Sequence, residues 1–467
     1  MSDPIDLPRN ETGIAAVLGI LKQRFGERLQ TGQAIRDQHG HTTTWTRNQP
    51  PDAVVFAQST AAVSEIVTAC AAHDVPVIPF GTGTSLEGHV NAPAGGICVD
   101  LMGMDRVLAV HGEDLDCVVQ PGVTREALNT HLRDRGLFFP IDPGANASLG
   151  GMVATGASGT NAVRYGTMKD NVLALEAVMA DGRVIRTARR AKKTSAGYDL
   201  TRLLVGSEGT LGLITEITLR LQGIPEAITA ARCSFPSVEA ACRTVMAVIQ
   251  YGIPVARIEL LDTMQVRACN AYSGLDLPET PLLLLEFHGS DASAAEQAAT
   301  FGDIAEEFGG TGYAAVATLE ERNKLWKARH DAYWAALQLR PGARGLSTDV
   351  CVPISRLADC VTAAQDKLAE LGFLAPIVGH VGDGNFHSLV LVDEDSAEEL
   401  EKAASYVSWL NELAISLDGT CTGEHGIGQG KIPYLRRELG DAVDVMGAVK
   451  MALDPQNILN PGKVVQV

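Results

Sequence analysis

The stretch Val75-Pro76-Val77-Ile78-Pro79-Phe80-Gly81-Thr82-Gly83-Thr84-Ser85 joins an apolar run to a loop of glycine and hydroxyl residues. The apolar run predicts a strand. The loop provides a backbone that can approach a phosphate closely with its N–H groups turned inward. It is neither the G-x-G-x-x-G fingerprint nor a P-loop, since no Gly-Lys-Ser or Gly-Lys-Thr follows it. A simple tight turn is therefore an equal alternative for this loop taken alone.

Further glycine-rich stretches follow in the same part of the chain. They are Pro121-Gly122-Val123-Thr124, residues 143–151, residues 155–161 and residues 206–212. Short apolar runs such as residues 53–56 predict strands between them, and apolar residues at helical spacing predict helices over residues 60–73 and 125–135. A single loop of this kind is explained by a turn alone. Several loops from one domain predict a long ligand bound along backbone amides.

The bulk properties exclude several classes of protein. A chain of 467 residues exceeds the roughly 250–300 residues at which single cores stop growing, so at least two domains are expected. A net charge of −18 disfavours a nucleic-acid-binding surface. The nine cysteines are scattered without a C-x-x-C pair, which indicates small core residues rather than disulfides or a zinc ribbon.

The sequence also predicts a location. No apolar run approaches the roughly 18 residues that suggest a transmembrane helix. The N-terminal run, residues 1–8, lacks the basic and apolar regions of a signal peptide. We therefore expect a cytoplasmic protein, and a peripheral contact with the inner membrane is an alternative that the sequence leaves open.

After Gly223-Ile224-Pro225 the pattern changes to longer β-α-β units. Strands are predicted over residues 227–235, 255–261 and 282–287, with helices over residues 238–251 and 292–308. Elements in this order suit an antiparallel sheet with helices on one face.

Two later runs carry residues that can bind a metal. Gly379-His380-Val381-Gly382-Asp383-Gly384-Asn385-Phe386-His387 supplies two imidazoles, and Gly423-Glu424-His425-Gly426-Ile427-Gly428 supplies a carboxylate and a third imidazole. Two histidines and one carboxylate form a common set for zinc, manganese or ferrous iron. His380, His387 and Glu424 are thus candidate ligands, with ordinary surface or core histidines as the alternative. Asp383 is either a partner of a ligand histidine or a turn residue.

Taken in order, the glycine loops resemble the FAD-binding domain of the vanillyl-alcohol-oxidase (PCMH) type. From about residue 45 to 463 the chain resembles the D-lactate dehydrogenase (cytochrome) branch of that superfamily, most specifically at residues 157–167 and Thr348-Asp349-Val350-Cys351-Val352-Pro353. The implied fold is α+β. Residues 1–224 would form a two-subdomain FAD-binding domain, residues 225–418 a substrate-covering cap domain with an antiparallel sheet, and residues 419–467 a segment that returns to the FAD domain with catalytic residues.

The resemblance also implies roles for individual residues. His380, His387 and Glu424 would hold the divalent metal, and His425 would be the general base, with a third imidazole ligand as its alternative role. Substrate would contact Arg329, Asn385 and Tyr333; a solvated surface charge is the alternative for Arg329. The expected FAD contacts are Pro79, Gly81, Thr82, Gly83, Thr84, Ser85, Pro121, Gly122, Asp142, Pro143, Ser148, Gly151, Gly156, Ala157, Ser158, Gly159, Asn161, Glu208, Gly212, Ile214 and Asn460.

Two positions at which family members differ from one another indicate how FAD is bound and which substrate is favoured. The first loop contains no histidine, and the nearest is His89, so we expect FAD to be bound non-covalently. Where D-2-hydroxyglutarate dehydrogenase has a lysine for a second carboxylate, this chain has Ser347, which favours a monocarboxylate. Arg340 and Arg344 lie nearby in the sequence, so a dicarboxylate substrate is still an alternative.

The implied reaction is oxidation of a small D-2-hydroxy acid, with D-lactate the leading candidate, to the 2-oxo acid. Electrons would pass to a cytochrome, a quinone or an electron-transfer flavoprotein, and a homodimer is compatible with the family. The alternatives are a glycolate oxidase flavoprotein subunit, a D-2-hydroxyglutarate dehydrogenase, a zinc metallohydrolase in which His425 activates water, and a non-catalytic FAD-storage protein.

Overall fold

The computed structural model describes residues 5–42, 46–316 and 318–467. Residues 1–4 of the N-terminal run and residue 45, where the family resemblance begins, lie outside this range. The described chain divides into two compact units. The first unit comprises residues 5–158, 166–224 and 424–467, and the second comprises Gly159–Tyr165 and Pro225–Gly423. The three domain ranges given above stay a prediction.

The first unit contains a small sheet that is mostly parallel. Its strands, in spatial order, are Leu29–Gln30, Ala53–Phe56, Ile97–Asp100 and Val77–Phe80. The last three run parallel, and the first is antiparallel to its neighbour. The helices Glu11–Phe25 and Thr60–Ala71 pack their apolar residues with these strands into one core. Ser59 caps the second helix by accepting a hydrogen bond from the N–H of Ala62.

A second sheet in the first unit is antiparallel and has a separate core. Its strands, in spatial order, are Val107–His111, Asp116–Val119, Leu213–Arg220, Val172–Val178 and Val184–Arg186. The helices Arg125–Arg133 and Leu149–Thr155 contribute to that core. The remaining elements of the unit are the helices Gln33–His39, Met168–Asn171, Leu200–Leu204, Ile432–Leu439 and Ala442–Leu453, the 3-10 turn Gly26–Arg28, and the paired strands Leu137–Phe138 and Gln222–Gly223.

The second unit is built on an eight-stranded sheet in which every pairing is antiparallel. Its strands, in spatial order, are Thr311–Ala315, Ala227–Ser234, Leu282–Gly289, Val255–Leu261, Ile377–Gly379, Asn385–Val392 and Arg344–Ser347, with Val350–Cys351 also paired to Asn385–Val392. Its helices are Ala162–Tyr165, Val238–Gln250, Thr263–Ser273, Asp291–Glu307, Leu319–His330, Ala332–Leu337, Leu357–Leu371 and Ala397–Ser416, with 3-10 turns at Ile354–Arg356 and Val381–Asp383.

The predicted fold class is confirmed: the chain is α+β, with two separately cored sheets in the first unit and an antiparallel sheet in the second. All nine cysteines lie among the described residues and none forms a disulfide; eight are buried and Cys351 is partly exposed. This agrees with their interpretation as small core residues.

Candidate active site

The predicted flavin loops of the first unit meet one another. A Cβ at Gly81 would collide with Ser148 Oγ, and a Cβ at Gly209 would collide with the ring of Pro79, so glycine is required for these loops to approach so closely. The N–H of Glu208 donates to the carbonyl of Ala154 at 2.8 Å. The structure therefore brings together the ends of several strands and helices that are distant in sequence.

Three buried polar atoms in this region indicate that the loops fit a polar ligand. Ser85 Oγ, Ser148 Oγ and His89 Nδ1 have no hydrogen-bond partner among the described residues. A buried polar group without a partner is costly, so such atoms mark places where a ligand can complete the hydrogen bonding. A cavity of about 320 Å³ also lies beside residues 81–83, and its lining includes His39 and Phe80. These polar atoms, together with glycine loops whose backbones approach one another closely, suit FAD as the ligand.

Glu208 fixes the chain that follows His425. Its side chain is buried and accepts hydrogen bonds from the N–H groups of Ile427 at 2.7 Å and Gly428 at 2.8 Å. His89 Nε2 lies 3.1 Å from its carboxylate. Burial favours a higher pKa for Glu208, but His89 and the two N–H groups outweigh burial and hold the pKa of Glu208 below its usual value. The carboxylate therefore stays charged and anchors residues 427 and 428.

Asn460 links the C-terminal segment to the same region. Its N–H donates to the carbonyl of Val77 at 2.9 Å, and its side-chain amide donates to the carbonyls of His89 and Glu208 at 3.2 and 2.8 Å. Lys463, which is buried, donates to Asn460 Oδ1 at 3.0 Å. This places Asn460 beside the strand that enters the first glycine loop.

The predicted flavin contacts are divided between the two units. Gly159 and Asn161 belong to the second unit, where Arg257 Nε donates to Asn161 Oδ1 at 2.9 Å and Tyr165 hydrogen-bonds His288 Nδ1 at 2.7 Å. The other predicted contacts lie in the first unit: Pro79, Gly81, Thr82, Gly83, Thr84, Ser85, Pro121, Gly122, Asp142, Pro143, Ser148, Gly151, Gly156, Ala157, Ser158, Glu208, Gly212, Ile214 and Asn460.

In the second unit the structure brings His380 and His387 together. Their ring centroids lie 5.6 Å apart at an interplanar angle of 83°, and one ring nitrogen of each lies within 4.8 Å of the other. Both residues are largely buried. The strand Ile377–Gly379 delivers His380, and the neighbouring strand Asn385–Val392 carries His387. A shared metal ion would suit this pair of imidazoles.

The partners of the two rings specify their tautomers. His380 Nδ1 lies 2.9 Å from a carboxylate oxygen of Glu259, and His387 Nδ1 lies 2.9 Å from the carbonyl oxygen of Thr348. Because both partners are acceptors, each Nδ1 is the donor, and in the neutral ring Nε2 then carries the lone pair that a metal needs. The second unit thus holds two imidazoles in the tautomer that can bind a metal.

Arg329 shares Glu259 with His380. Its Nη2 and Nε atoms lie 2.6 and 2.9 Å from Glu259 Oε2, and the Arg329 side chain is only 10% exposed. The alternative of a solvated surface charge is therefore wrong. The Nε–Nη2 edge of the guanidinium is occupied by Glu259, so a substrate carboxylate would be bound through Nη1.

Asn385 has an orientation that suits a ligand contact. Its amide nitrogen donates to Asp349 Oδ1 at 2.8 Å and to the carbonyl of Val350 at 2.9 Å. Its Oδ1 is buried and has no hydrogen-bond partner among the described residues. Thr422 Oγ1 donates to the other oxygen of Asp349 at 2.8 Å. The segment that ends the second unit is thus tied to Asp349 immediately before Glu424 begins the final segment of the first unit.

The remaining predicted substrate residue lies in a different environment. Tyr333 packs against an apolar cluster that includes Ala336, Leu389 and Leu391, and burial raises the pKa of its hydroxyl. Its role in substrate binding stays a prediction. Asp383 is exposed in a 3-10 turn, which agrees with its interpretation as a turn residue.

Sequence reasoning missed Glu259, Asp349 and Thr348, each of which holds a predicted site residue. Glu259 and His380 are 121 residues apart, so no local motif joins them. A signal was nevertheless present. Arg257 and Glu259 interrupt an otherwise apolar strand, and a charged residue in a buried strand needs a partner.

Two protein families match this chain. Residues 51–188 match the FAD binding domain family, and residues 224–464 match the C-terminal domain of FAD linked oxidases. The chain is 52% identical over 445 residues to a probable mitochondrial D-lactate dehydrogenase of Danio rerio, covering 94% of this chain and 90% of that one. It is 47% identical over 416 residues to the mitochondrial D-lactate dehydrogenase [cytochrome] of Arabidopsis thaliana, covering 89% and 73%.

A solved structure shows the same fold at low identity. P-cresol methylhydroxylase with substrate bound superimposes with a TM-score of 0.81 at 17% identity, covering 98% of this chain and 99% of that one. Within the described residues, no helix is both long and apolar enough to cross a membrane.

Proposed function

Since the chain belongs to the D-lactate dehydrogenase (cytochrome) family of FAD-linked oxidases, we propose that it oxidises D-lactate to the 2-oxo acid with FAD and a divalent metal. The single observation that carries the proposal beyond the family is the group Arg329–Glu259–His380, in which the proposed carboxylate-binding residue and a proposed metal ligand share one buried glutamate. That group, in the same unit as His387, suits a substrate that bears a carboxylate next to a metal-binding hydroxyl.

The metal would be held by the Nε2 atoms of His380 and His387 and by the carboxylate of Glu424. This donor set suits zinc, manganese or iron. Bound FAD supplies the hydride acceptor, and the metal supplies a Lewis acid for the 2-hydroxyl group.

The chain's own residues would bind the substrate and move its proton. Arg329 donates from Nη1 to the carboxylate, and Asn385 offers its buried Oδ1 as an acceptor. His425 takes the proton of the 2-hydroxyl as C2 is oxidised. An imidazole suits this role because its ordinary pKa lies near neutral pH. Glu208 supports His425 indirectly, because it anchors the backbone two and three residues further on.

The proposed preference for a monocarboxylate depends on the residues near Ser347. Ser347 is half-buried at the end of the strand Arg344–Ser347. Of the two nearby cations, Arg340 forms two contacts of 2.8 and 3.0 Å with Glu399, and Arg344 lies 3.4 Å from Glu394. Since both arginines already have carboxylate partners, neither replaces the lysine of dicarboxylate-binding relatives.

The onward path of the electrons also belongs to the proposal. A cytochrome is the favoured acceptor, because the Arabidopsis relative is named for it, with a quinone or an electron-transfer flavoprotein as alternatives. The cytoplasmic location stays a prediction, as does peripheral contact with the inner membrane, since both relatives described above are named as mitochondrial. A homodimer stays a prediction as well.

The variant His425→Ala tests the proposed base. We expect kcat to fall by about 10²–10⁴-fold while FAD remains bound, since a positioned base contributes about that factor. His131→Ala is the matched control, because His131 is exposed on the helix Arg125–Arg133. Full activity of His425→Ala would contradict the role.

Removing the metal tests the second part of the proposal. Dialysis against EDTA should abolish turnover and leave the flavin bound, and added zinc or manganese should restore turnover. Undiminished turnover by protein shown to be metal-free would contradict the metal's role.

A further inference from the structure

The strand Val255–Leu261 carries two charged residues in an otherwise apolar run. Arg257 and Glu259 are two residues apart, so their side chains leave the same face of the strand. Glu259 is completely buried. Because an ionised carboxylate is costly to bury without partners, its contacts must be accounted for.

Glu259 has two partners that come from different elements. Arg329, on the helix Leu319–His330, contacts Oε2 through Nη2 at 2.6 Å and Nε at 2.9 Å. His380, at the end of the strand Ile377–Gly379, places Nδ1 2.9 Å from Oε1 and 3.1 Å from Oε2. A single carboxylate thus holds both a cation and an imidazole.

The helix that carries Arg329 is held to the same strand at a second point. The guanidinium of Arg257 lies 4.7 Å from the ring centroid of Trp326, one helical turn before Arg329. Arg257 also binds Asn161. Arg257 and Glu259 together fix the helix against the strand, so that Arg329 has little freedom to turn away from Glu259.

We propose that Glu259 is the positioning residue of this enzyme: it sets the tautomer of His380 for metal binding and, in the same contact, fixes which edge of Arg329 can bind the substrate carboxylate. This inference rests on the proposed function, because it assigns His380 to the metal and Arg329 to the substrate. Glu259 would act only through these two residues, since both of its carboxylate oxygens contact Arg329 or His380.

Two effects follow from the shared carboxylate. First, Glu259 accepts the Nδ1 proton of His380, which leaves the Nε2 lone pair for a metal; outer partners of this kind typically change metal affinity by about 10–100-fold when they are replaced. Second, Glu259 occupies the Nε–Nη2 edge of Arg329 and offsets its charge. Arg329 then acts as a directional donor through Nη1, and its charge does not attract a second carboxylate.

The variants Glu259→Gln and Glu259→Asp test the proposal. A glutamine keeps the shape but presents an NH₂ group to either Arg329 or His380, so one of the two contacts is lost. An aspartate keeps the charge but is one methylene shorter, so it should reach its partners less well. It also provides a second test if the glutamine variant does not accumulate as folded protein.

Asp116→Asn is the matched control. Asp116 is a buried aspartate on the strand Asp116–Val119 of the first unit, where its carboxylate lies 2.6 Å from His111 Nδ1 and 3.1 Å from Arg190 Nε. Its replacement also removes a buried carboxylate that a histidine and an arginine share. The two sites therefore match in their partners, and Asp116 belongs to a different unit from His380 and Arg329.

Zinc affinity is measured on the resting protein by competition with a chelator, and KM and kcat for D-lactate are measured on zinc-loaded protein. We expect Glu259→Gln to bind zinc about 10–100-fold more weakly and to raise the KM for D-lactate. Glu259→Asp should give a smaller change in the same direction, and Asp116→Asn should match the unaltered protein in both zinc affinity and KM.

The inference is overturned if Glu259→Gln and Glu259→Asp bind zinc within twofold of the unaltered protein, or if Asp116→Asn weakens zinc binding equally. A failure of the proposed function looks different. In that case the unaltered protein would show no flavin reduction by D-lactate, whatever the zinc affinities of the variants.

Discussion

Glu208 in the first unit and Glu259 in the second are both buried glutamates whose pKa is held below its usual value. In both, burial alone would raise the pKa, and the neighbouring groups outweigh it. Their partners differ. Glu208 binds the backbone N–H groups of Ile427 and Gly428, whereas Glu259 binds the side chains of Arg329 and His380.

The difference separates two tasks. A carboxylate that binds backbone N–H groups fixes the path of the chain, and here it fixes the loop that follows His425. A carboxylate that binds an arginine and a histidine fixes the orientation of two side chains, and both of these have proposed roles in binding the metal or the substrate. We therefore expect damage at Glu208 to affect the folding of a loop, and damage near Glu259 to affect an ion pair and the predicted ligand His380.

The largest expected effect on stability is that of Arg329→Met. This change leaves Glu259 charged and buried without its cation, and breaking one side of a buried pair typically costs about 3–5 kcal/mol. Chemical denaturation followed by fluorescence measures the loss of stability of the second unit.

A double variant sharpens this first prediction. Glu259→Leu combined with Arg329→Met removes both charges, so it should be less destabilised than Arg329→Met alone. If the double variant is as unstable as the single variant or less stable, the uncompensated charge of Glu259 is not the source of the loss.

The second largest expected loss of stability is that of Glu208→Gln. A glutamine has one acceptor oxygen, so one of the two N–H groups of Ile427 and Gly428 loses its partner. An unsatisfied buried N–H costs about 1–3 kcal/mol. We expect a loss of that size in the free energy of unfolding of the first unit, with a lower kcat because the backbone beyond His425 is less well fixed.

Glu216→Ala is the control for Glu208→Gln. Glu216 is partly exposed on the strand Leu213–Arg220 and pairs with Arg186 at 2.7 Å, and such pairs contribute about 0–1 kcal/mol. An equal loss of stability in the two variants would contradict the backbone role of Glu208.

The smallest effect concerns Lys463, which lies in the same region as Glu208. Burial lowers the pKa of Lys463 to about 7, although the nearby charge of Glu208 acts in the opposite direction. Lys463 bonds the carbonyl of Asn91 at 2.5 Å and Asn460 Oδ1 at 3.0 Å. Unlike Arg329, it has no directly paired carboxylate within the described part of the chain.

The sign of the pH dependence follows from proton binding. Between about pH 7 and the ordinary lysine pKa of 10.5, the unfolded chain holds the Lys463 proton and the folded chain releases it. Stability therefore rises with pH in this window by at most about 1.4 kcal/mol per pH unit, and the cost of burying the charge is fully present below about pH 7. Lys463→Met should flatten this rise between pH 7.5 and 9, whereas Lys192→Met, at an exposed lysine, should not. Parallel profiles for the unaltered protein and Lys463→Met would contradict the prediction.

Much of the fold could be predicted from local sequence. The apolar run at Val255–Leu261 gives a strand of those bounds, and the helical spacing after Ser59 gives the helix Thr60–Ala71. Strand and helix patterns are local, so they can be recognised without knowing which other elements they pack against. The glycine loops could be recognised as a set for the same reason, and so could the two histidines of residues 379–387.

The partners of these residues could not be predicted. Glu259 meets His380 across 121 residues, and the assignment of Gly159–Tyr165 to the second unit depends on contacts such as Tyr165 with His288, which are 123 residues apart. Such contacts depend on strand order, which local patterns do not determine. The occupied edge of Arg329 is another example, because the sequence predicts only that Arg329 contacts the substrate, whereas the structure shows its Nε–Nη2 edge bound to Glu259.

The most direct test of the central claim is reduction of the bound flavin in the absence of oxygen by D-lactate and, separately, by L-lactate. If Arg329, His380, His387 and His425 act together on a D-2-hydroxy acid as proposed, D-lactate should bleach the oxidised flavin absorbance and L-lactate should leave it unchanged. A flavin that neither D-lactate nor any other D-2-hydroxy acid reduces, or that L-lactate reduces equally well, would contradict the account.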